Sequence, residues 1–495
     1  MLKAFLLLCT FVLPLALRAA EPGVFSFHHE GVLGTSLDLQ VVAADAQQAA
    51  AVESAVLAEI ERMRKILSTY DPASEISRVN AATGTVPCSQ ELLDVLAGYD
   101  WWNAKSGGAY NGHLGDLIRM WRAAEQAGTM PDAAVLQRTV AALRVPAWKM
   151  DAAAKTVTRT TAQALNVDSL GKGYIISKAA GVARAKAPQG FLLNIGGDIF
   201  ASGRVWKVGV ADPKSSADNS PPLTEVNLRD LAISTSAAYE RGYTIGGKRH
   251  SHILDPRTGQ PAAGVASATV VAASNAVANA LATTLCVLKP DEGLAFAKTI
   301  PGVACLIVAA DGRQLRTANF APLEGRLPTA VVQMPTPPSA AKPGAWPNGF
   351  QVTLTLTLKT PTGGKKIKRP YVAVWIEDGD GKRVRTVAVW GNQRKYMPDL
   401  REWWKVARED EQWASGITRA TRSAGQHRIA WDGADDKGAP LPPGTYAVVL
   451  EVNREHGTYS IERGTILCAK TTAQGKIAAA AEFAEAQIVF GPPVQ

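Results

Sequence analysis

Leu165-Asn166-Val167-Asp168-Ser169-Leu170-Gly171-Lys172-Gly173-Tyr174 reads as a strand passing into a helix, the latter expected over Tyr174 to Ala185. A lysine flanked by glycines at a helix N-terminus makes an anion site, because unpaired amides, the helix dipole and an ammonium converge on one spot. The Gly-x-x-x-x-Gly-Lys-Ser/Thr spacing of a P-loop is absent, which argues against an ordinary ATPase.

On the C-terminal side, the apolar strand Phe191-Leu192-Leu193 enters Asn194-Ile195-Gly196-Gly197-Asp198, where the paired glycines read as a hairpin turn with Asn194 and Asp198 as its polar markers. Trp206, Val208 and Val210 alternate as a strand, and Ile233 to Arg241 is a hydroxyl-rich strand end. It leads to Ser251-His252-Ile253-Leu254-Asp255-Pro256-Arg257-Thr258-Gly259. Asp-Pro and Thr-Gly are turn punctuation, so the His252 imidazole and the Asp255 carboxylate lie at a strand end or loop, where sites commonly sit. A solvated histidine beside a turn would give the same pattern. Asn275 to Leu288 carries helical spacing, and Asn279 and Thr283 share one face of it. Two oxygen ligands for a hard cation, or simple helix packing, both fit.

On the N-terminal side, a helix over Gln90 to Lys105 runs into Ser106-Gly107-Gly108-Ala109-Tyr110-Asn111-Gly112-His113. This loop either presents amides and Tyr110 to a ligand or merely joins two helices. Before it, Ser68 to Asn80 reads as a turn and a capped helical turn, with Tyr70 placed to stack on a planar ligand or to stay half exposed. A long amphipathic helix is expected from Gln47 to Ser68, and Leu37, Leu39 and Val41 mark a strand opened by Leu33-Gly34-Thr35. Gly34 suits close approach of a ligand to the backbone, or an ordinary turn.

Of the 495 residues, 46% are apolar and 20% charged, the balance of a folded chain with room for two or three cores. The net charge of +9 is dispersed apart from Lys365-Lys366-Ile367-Lys368-Arg369, which argues against nucleic acid as a partner. Residues 1–20 read as a cleaved signal peptide, with Lys3 ahead of an apolar run and Ala19-Ala20 at the cleavage point. The expected product is periplasmic, with no membrane span, while association with the inner membrane stays open. Cys88, Cys286, Cys305 and Cys468 show no CxxC spacing, against a thiolate metal site, and Cys286 and Cys305 lie in apolar runs as buried thiols.

Eight segments in order carry a resemblance to the bacterial FAD:protein FMN transferases, also called flavin transferases. They are LGT at 33–35, STYDPASEISRVN at 68–80, GGAYN at 107–111, LNVDSLGKGYIIS at 165–177, LLNIGGDIFASG at 192–203, ISTSAAYER at 233–241, SHILDPRTG at 251–259 and ANALATTL at 278–285. The resemblance implies a mixed α/β fold in residues 21–326 and a magnesium-dependent cleavage of FAD. FMN would pass to a threonine hydroxyl of an exported acceptor, and AMP would be released. It places Leu33, Tyr70, Ala109, Tyr110, Asn111, Asn166, Lys172 and Ile253 around the flavin nucleotide. The Ser169 carbonyl, Asn279 and Thr283 would hold Mg2+, and His252 would act as the base.

Three departures stand out. The family usually has Asp where this chain has Asn279, which removes a negative charge from the magnesium site. Ala237 follows Ser236 where glycine is usual, and Asn111 replaces an acid. Hydrolysis of FAD to FMN and AMP, and non-catalytic flavin binding, are the competing readings.

A Pro/Ala-rich linker is expected over 327–348. Beyond it, alternating Val352, Leu354, Leu356 and Leu358, the runs Tyr371 to Asp378 and Val384 to Trp390, and turns around Gly433, Gly438 and Gly444 read as a small β-sandwich over 349–495. The whole is therefore an α+β chain. The second domain resembles a periplasmic domain of unassigned function that accompanies flavin transferases. Ala414 to Arg422 partly resembles the acceptor segment of that system, with Thr418 or Thr421 as a self-modification site and Arg419 in place of its glycine.

Overall fold

Leu37, Leu39 and Val41 are wholly buried on one face of the strand Thr35–Ala43, as a period of two requires. In the computed structural model, which describes residues 22–493 apart from 187–188, 216, 218, 239–241, 326–345, 348, 360–369, 392–393, 409–417, 420–421, 423 and 455–456, that strand is second in an eight-stranded sheet. The order is Gly23–Val32, Thr35–Ala43, Phe191–Ile195, Asp198–Ser202, Leu231–Ala237, Val265–Ala272, Ala304–Ala309 and Gln314–Arg316, antiparallel throughout. The expected signal peptide and nearly all of the linker lie outside the described residues.

Helices cover one face of this sheet. Helix α1 (Ala46–Leu67) is capped by Asp45, whose side chain accepts from the Gln48 amide, and buries Val52, Val56, Ile60, Met63 and Leu67 at helical spacing. Helix α2 (Glu75–Ala81) is capped by Ser74, and α3 spans Gln90–Lys105. Then come α4 (Gly115–Ala127), α5 (Ala133–Ala142), α6 (Asp168–Lys186), α7 (Asn275–Val287) and α8 (Pro290–Ala297). Helices α1, α6 and α7 pack on the sheet through Leu39, Val270, Ile176 and Leu281. The opposite face is closed by the hairpin Trp206–Val210 and Thr224–Leu228, which meets Val271, Leu306 and Phe320.

The strand expected over Leu165 to Val167 does not form, and α6 begins at Asp168, six residues before Tyr174. Leu165 and Val167 are buried, but among the described residues no strand is paired with them. The Asn80 side chain takes a strand's place, donating to Leu165 O at 3.0 Å and accepting from Leu165 N at 2.9 Å. Asn166 then turns the chain, its Oδ1 accepting from Asp168 N at 3.3 Å. Gly173 is spared a helix-breaking role by packing, since a Cβ there would stand 2.5 Å from Asn275 O on α7.

Residues 351–491 form the expected sandwich. One sheet runs Gly425–Trp431, Gln351–Leu358, Ala486–Gly491, Ala473–Ile477, and the other Thr418–Arg419, Arg383–Trp390, Tyr371–Glu377, Gly444–Asn453, Tyr459–Cys468. Leu354, Leu356, Val374, Leu450 and Phe490 fill the space between them. Among the described residues, a 3-10 turn at Arg394–Asp399 and the α-helix after it depart from an all-β plan. Helix α9 (Arg401–Ala407) lies on the outer face of the five-stranded sheet, seated by Trp403, and its first amides, Glu402 N and Trp403 N, donate to the buried Glu451 carboxylate at 2.9 and 2.8 Å. Burial still pushes the Glu451 carboxyl above its ordinary range.

Asn219, between the strands of the Trp206–Leu228 hairpin, bonds across to the sandwich. Its Nδ2 donates to Ala430 O at 2.7 Å and to Val387 O at 3.3 Å, and its Oδ1 accepts from Ala430 N at 2.9 Å. Cys88, Cys286, Cys305 and Cys468 are free and buried, and burial pushes the Cys286 and Cys468 thiols up to about 12. Among the described residues no helix is long and apolar enough to cross a membrane.

Candidate active site

A cleft of about 920 Å³ opens at one end of the helix layer, where segments remote in sequence converge. Its walls come from the turn at Leu33-Gly34, the loop after α1, the exposed face of α4, the start of α6, the strand end at Thr235 to Ala237, the His252 loop and α7. The volume falls within the range of sites that take cofactor-sized molecules.

Leu33 and Gly34 form a two-residue hairpin between Val32 and Thr35, with φ of 50° and 75°. Leucine is strained there, because a left-handed backbone crowds its Cβ. Tyr70 stands at the lip, 77% exposed. The loop beneath it is held by Arg64 on Asp71 at 2.7 Å and by Thr69 Oγ1 donating to Asp168 at 2.8 Å. His252 lines the cleft as an exposed side chain, and Ile253 beside it is buried.

Ten of the twelve residues singled out from the sequence border this cleft, namely Leu33, Tyr70, Asn111, Asn166, Ser169, Lys172, His252, Ile253, Asn279 and Thr283. Ala109 and Tyr110 do not. They are 1% and 2% exposed, and the Tyr110 ring stacks on Tyr99 at 5.2 Å. Both phenols reach Ser169 Oγ, at 2.9 Å from Tyr99 and 2.8 Å from Tyr110, so they brace the first turn of α6 from behind. Burial pushes Tyr99 up to about 12 and Tyr110 well above its ordinary value, which keeps both protonated.

Asn111 serves its own loop. Its Oδ1 accepts from His113 N at 2.9 Å and its Nδ2 donates to Leu143 O at 3.3 Å, a bond that a carboxylate could not make. Asp255 is likewise committed, with Arg257 donating Nε and a terminal nitrogen to its two oxygens at 2.9 Å each. It braces the turn, and among the cleft-lining residues the His252 loop is represented by His252, Ile253 and Leu254 instead.

Three groups were not marked as functional by the sequence. Asp198, read there as a turn marker, is 4% exposed and faces the cleft. Lys172 Nζ sits 2.6 Å from Asp198 Oδ2 and also donates to Gly196 O at 3.4 Å. Lys172 thus reaches the paired-glycine turn from inside α6, one turn beyond the position expected for it. Asn279 Nδ2 lies 3.3 Å from each Asp198 oxygen, while Asn279 Oδ1 is buried without a hydrogen-bond partner. Thr283 Oγ1 shares a 3.2 Å hydrogen bond with Ser236 Oγ. Arg119 and Arg122 complete the omission, adding positive charge from α4. Their three-residue spacing beside Leu114 and Ile118 was the available clue.

The fold recurs in solved structures of flavin-transferase type. The ApbE protein of Thermotoga maritima superposes with a TM-score of 0.55 at 23% identity, over 61% of this chain and all of that one. The apo flavinyl transferase ApbE of Pseudomonas stutzeri gives 0.52 at 25% identity, over 62% of this chain and 99% of that one. In sequence, the FAD:protein FMN transferase of Treponema pallidum is 28% identical over 59% of this chain and 86% of its own length. That of Klebsiella pneumoniae is 26% identical over 58% and 84%. Residues 33–307 match the ApbE family profile, and the chain belongs to the ApbE family. Residues 351–485 match a second profile, described as a predicted periplasmic protein (DUF2271).

Proposed function

We propose that the chain is a periplasmic FAD:protein FMN transferase, which cleaves the FAD diphosphate and passes FMN to a threonine hydroxyl of an acceptor protein, releasing AMP. The observation that carries this reading is the convergence of Lys172, His252, Asn279 and Thr283 on one cleft of cofactor size. Leu33, Ile253 and Tyr70 offer apolar surface to the flavin ring, and Asn166 a polar edge. Lys172 provides an ammonium for the diphosphate. His252 accepts the proton of the attacking hydroxyl.

A divalent cation fits the donor set. Oxygen ligands suit Mg2+, and the wall holds the Thr283 hydroxyl, the buried Asp198 carboxylate and the orphaned Asn279 Oδ1. Ser169, Asn279 and Thr283 are the residues assigned to hold it. When bound, magnesium neutralises charge on the diphosphate.

The exposure of His252 favours a second reading, in which water replaces threonine and the products are FMN and AMP. Incubating the protein with FAD, Mg2+ and a threonine-bearing acceptor peptide separates the outcomes. AMP with a flavin-labelled peptide supports transfer, AMP alone supports hydrolysis, and FAD binding without AMP refutes both. His252→Ala should lower turnover by about 10²–10⁴-fold with little change in FAD binding, as loss of a general base does. The chain's own Thr418 pairs along Val389, and Thr421 lies outside the described residues. Intact mass after co-expression with flavin tests either as an acceptor.

A further inference from the structure

The wall that faces the diphosphate site has an unusual distribution of charge. Asn279 and Thr283 are neutral, and neutral oxygens alone hold a divalent cation weakly. Asp198 stands beside them as a carboxylate that is 4% exposed, with both oxygens 3.3 Å from the Asn279 amide nitrogen. That amide faces its donor end to the carboxylate, which leaves Asn279 Oδ1 buried and without a partner on the same wall. A buried carboxylate also needs positive charge nearby, and Lys172 Nζ provides it at 2.6 Å. Lys172 is the group assigned to the diphosphate, so it cannot fully serve both anions at once.

We propose that Asp198 is the anionic ligand of the cation at this site, with Lys172 as its counter-ion until diphosphate and cation enter together. The inference rests on the proposed diphosphate site. On joint binding, Asp198 and Asn279 Oδ1 would hold the cation, and the Lys172 ammonium, freed from Asp198, would turn to the diphosphate. The charges of carboxylate, ammonium, dication and diphosphate cancel, so the filled site is neutral. A mobile ammonium thus links the two binding events. Asp198 supplies from the Gly196-Gly197 turn the negative charge that α7 lacks at position 279.

Mn2+ binding to the full chain, read by electron paramagnetic resonance with and without ADP, tests this apart from turnover. Wild type should bind Mn2+ more tightly with ADP present. Asp198→Asn should weaken binding about tenfold or more in both conditions. Lys172→Met should strengthen binding in the absence of ADP, and that gain should vanish in the Asp198→Asn background, the sign of coupling through Asp198. Mn2+ binding unchanged in Asp198→Asn, or a Lys172→Met gain that survives it, overturns the proposal. Crystals soaked in Mn2+ and ADP need no variant. An anomalous peak within about 2.0–2.6 Å of an Asp198 oxygen is expected; a peak elsewhere, or none, overturns the proposal. FAD titration of wild type is scored separately, since failure there removes the flavin reading while the Mn2+ data still decide the role of Asp198.

Discussion

Leu33 holds a left-handed φ of 50° at the mouth of the cleft, a conformation that asparagine tolerates better than leucine. Leu33→Asn should raise stability by about 1 kcal/mol, read from the urea midpoint, through relief of that strain. It should also weaken FAD binding, because an apolar wall is lost. A variant no more stable than wild type would show that the strand pair sets this turn at no cost. The same scale shows what could be read without coordinates. Lys172 between two glycines suggested an anion site, and Asn279 with Thr283 an oxygen pair or helix packing; the structure brings all three to one cleft. Asp198 gave no such signal, because a polar residue after Gly-Gly is ordinary turn chemistry; its partners are 26 and 81 positions away, and only the sheet brings them together. Tyr110 is buried behind the cleft and not displayed in it. Its loop composition suggested display to a ligand, yet the ring found a better partner in Tyr99.

Among the elements, α1, α3 and α7 were legible nearly to the residue, because caps and apolar spacing agreed there. The start of α6 was not legible, since buried Leu165 and Val167 alternate like a strand while their backbone is satisfied by the distant Asn80 side chain. Helix α9 escaped notice because it is only one part of a mostly β pattern, made stable by the Glu451 carboxylate below it. The first hairpin carries a titratable link of its own. His28 faces Asp38 across the strands at 2.7 Å and reaches Glu30 at 2.7 Å. Burial opposes its charge, but the hydrogen bonds it donates to Asp38 and Glu30 outweigh this and raise it from 6.5 to about 9. The folded state thus favours the imidazolium. Its stabilisation is complete below pH 6.5 and is lost as pH rises through about 9. Urea midpoints for wild type and His28→Gln should therefore differ at pH 6 and converge by about pH 10, and a constant gap would remove the ionisation from the account.

For the molecule as a whole, composition and turn spacing suggested two bodies, and the largest core clusters draw on separate stretches, Leu37 to Ile307 and Val352 to Phe490. Their mutual docking was not foreseeable, because Asn219 belongs to a Ser/Asp/Asn/Pro stretch that reads as any surface loop. Asn219→Ala would strip partners from Val387 O and from Ala430 N and O, a cost of about 1–3 kcal/mol at the junction. Scanning calorimetry should show the melting of the two bodies drawing apart. An unchanged trace would mean that they are coupled only through the covalent chain.

The strand order of the large sheet also bears on how the polypeptide comes into being. Thr35–Ala43 finds its inner neighbour only in Phe191–Ile195, and the sheet is complete only when Gln314–Arg316 has been made. At ribosomal rates of about 5–20 residues per second, the opening hairpin waits roughly ten seconds or more for that neighbour. A nascent chain of this kind stays open during its own synthesis and closes late, through contacts between distant segments.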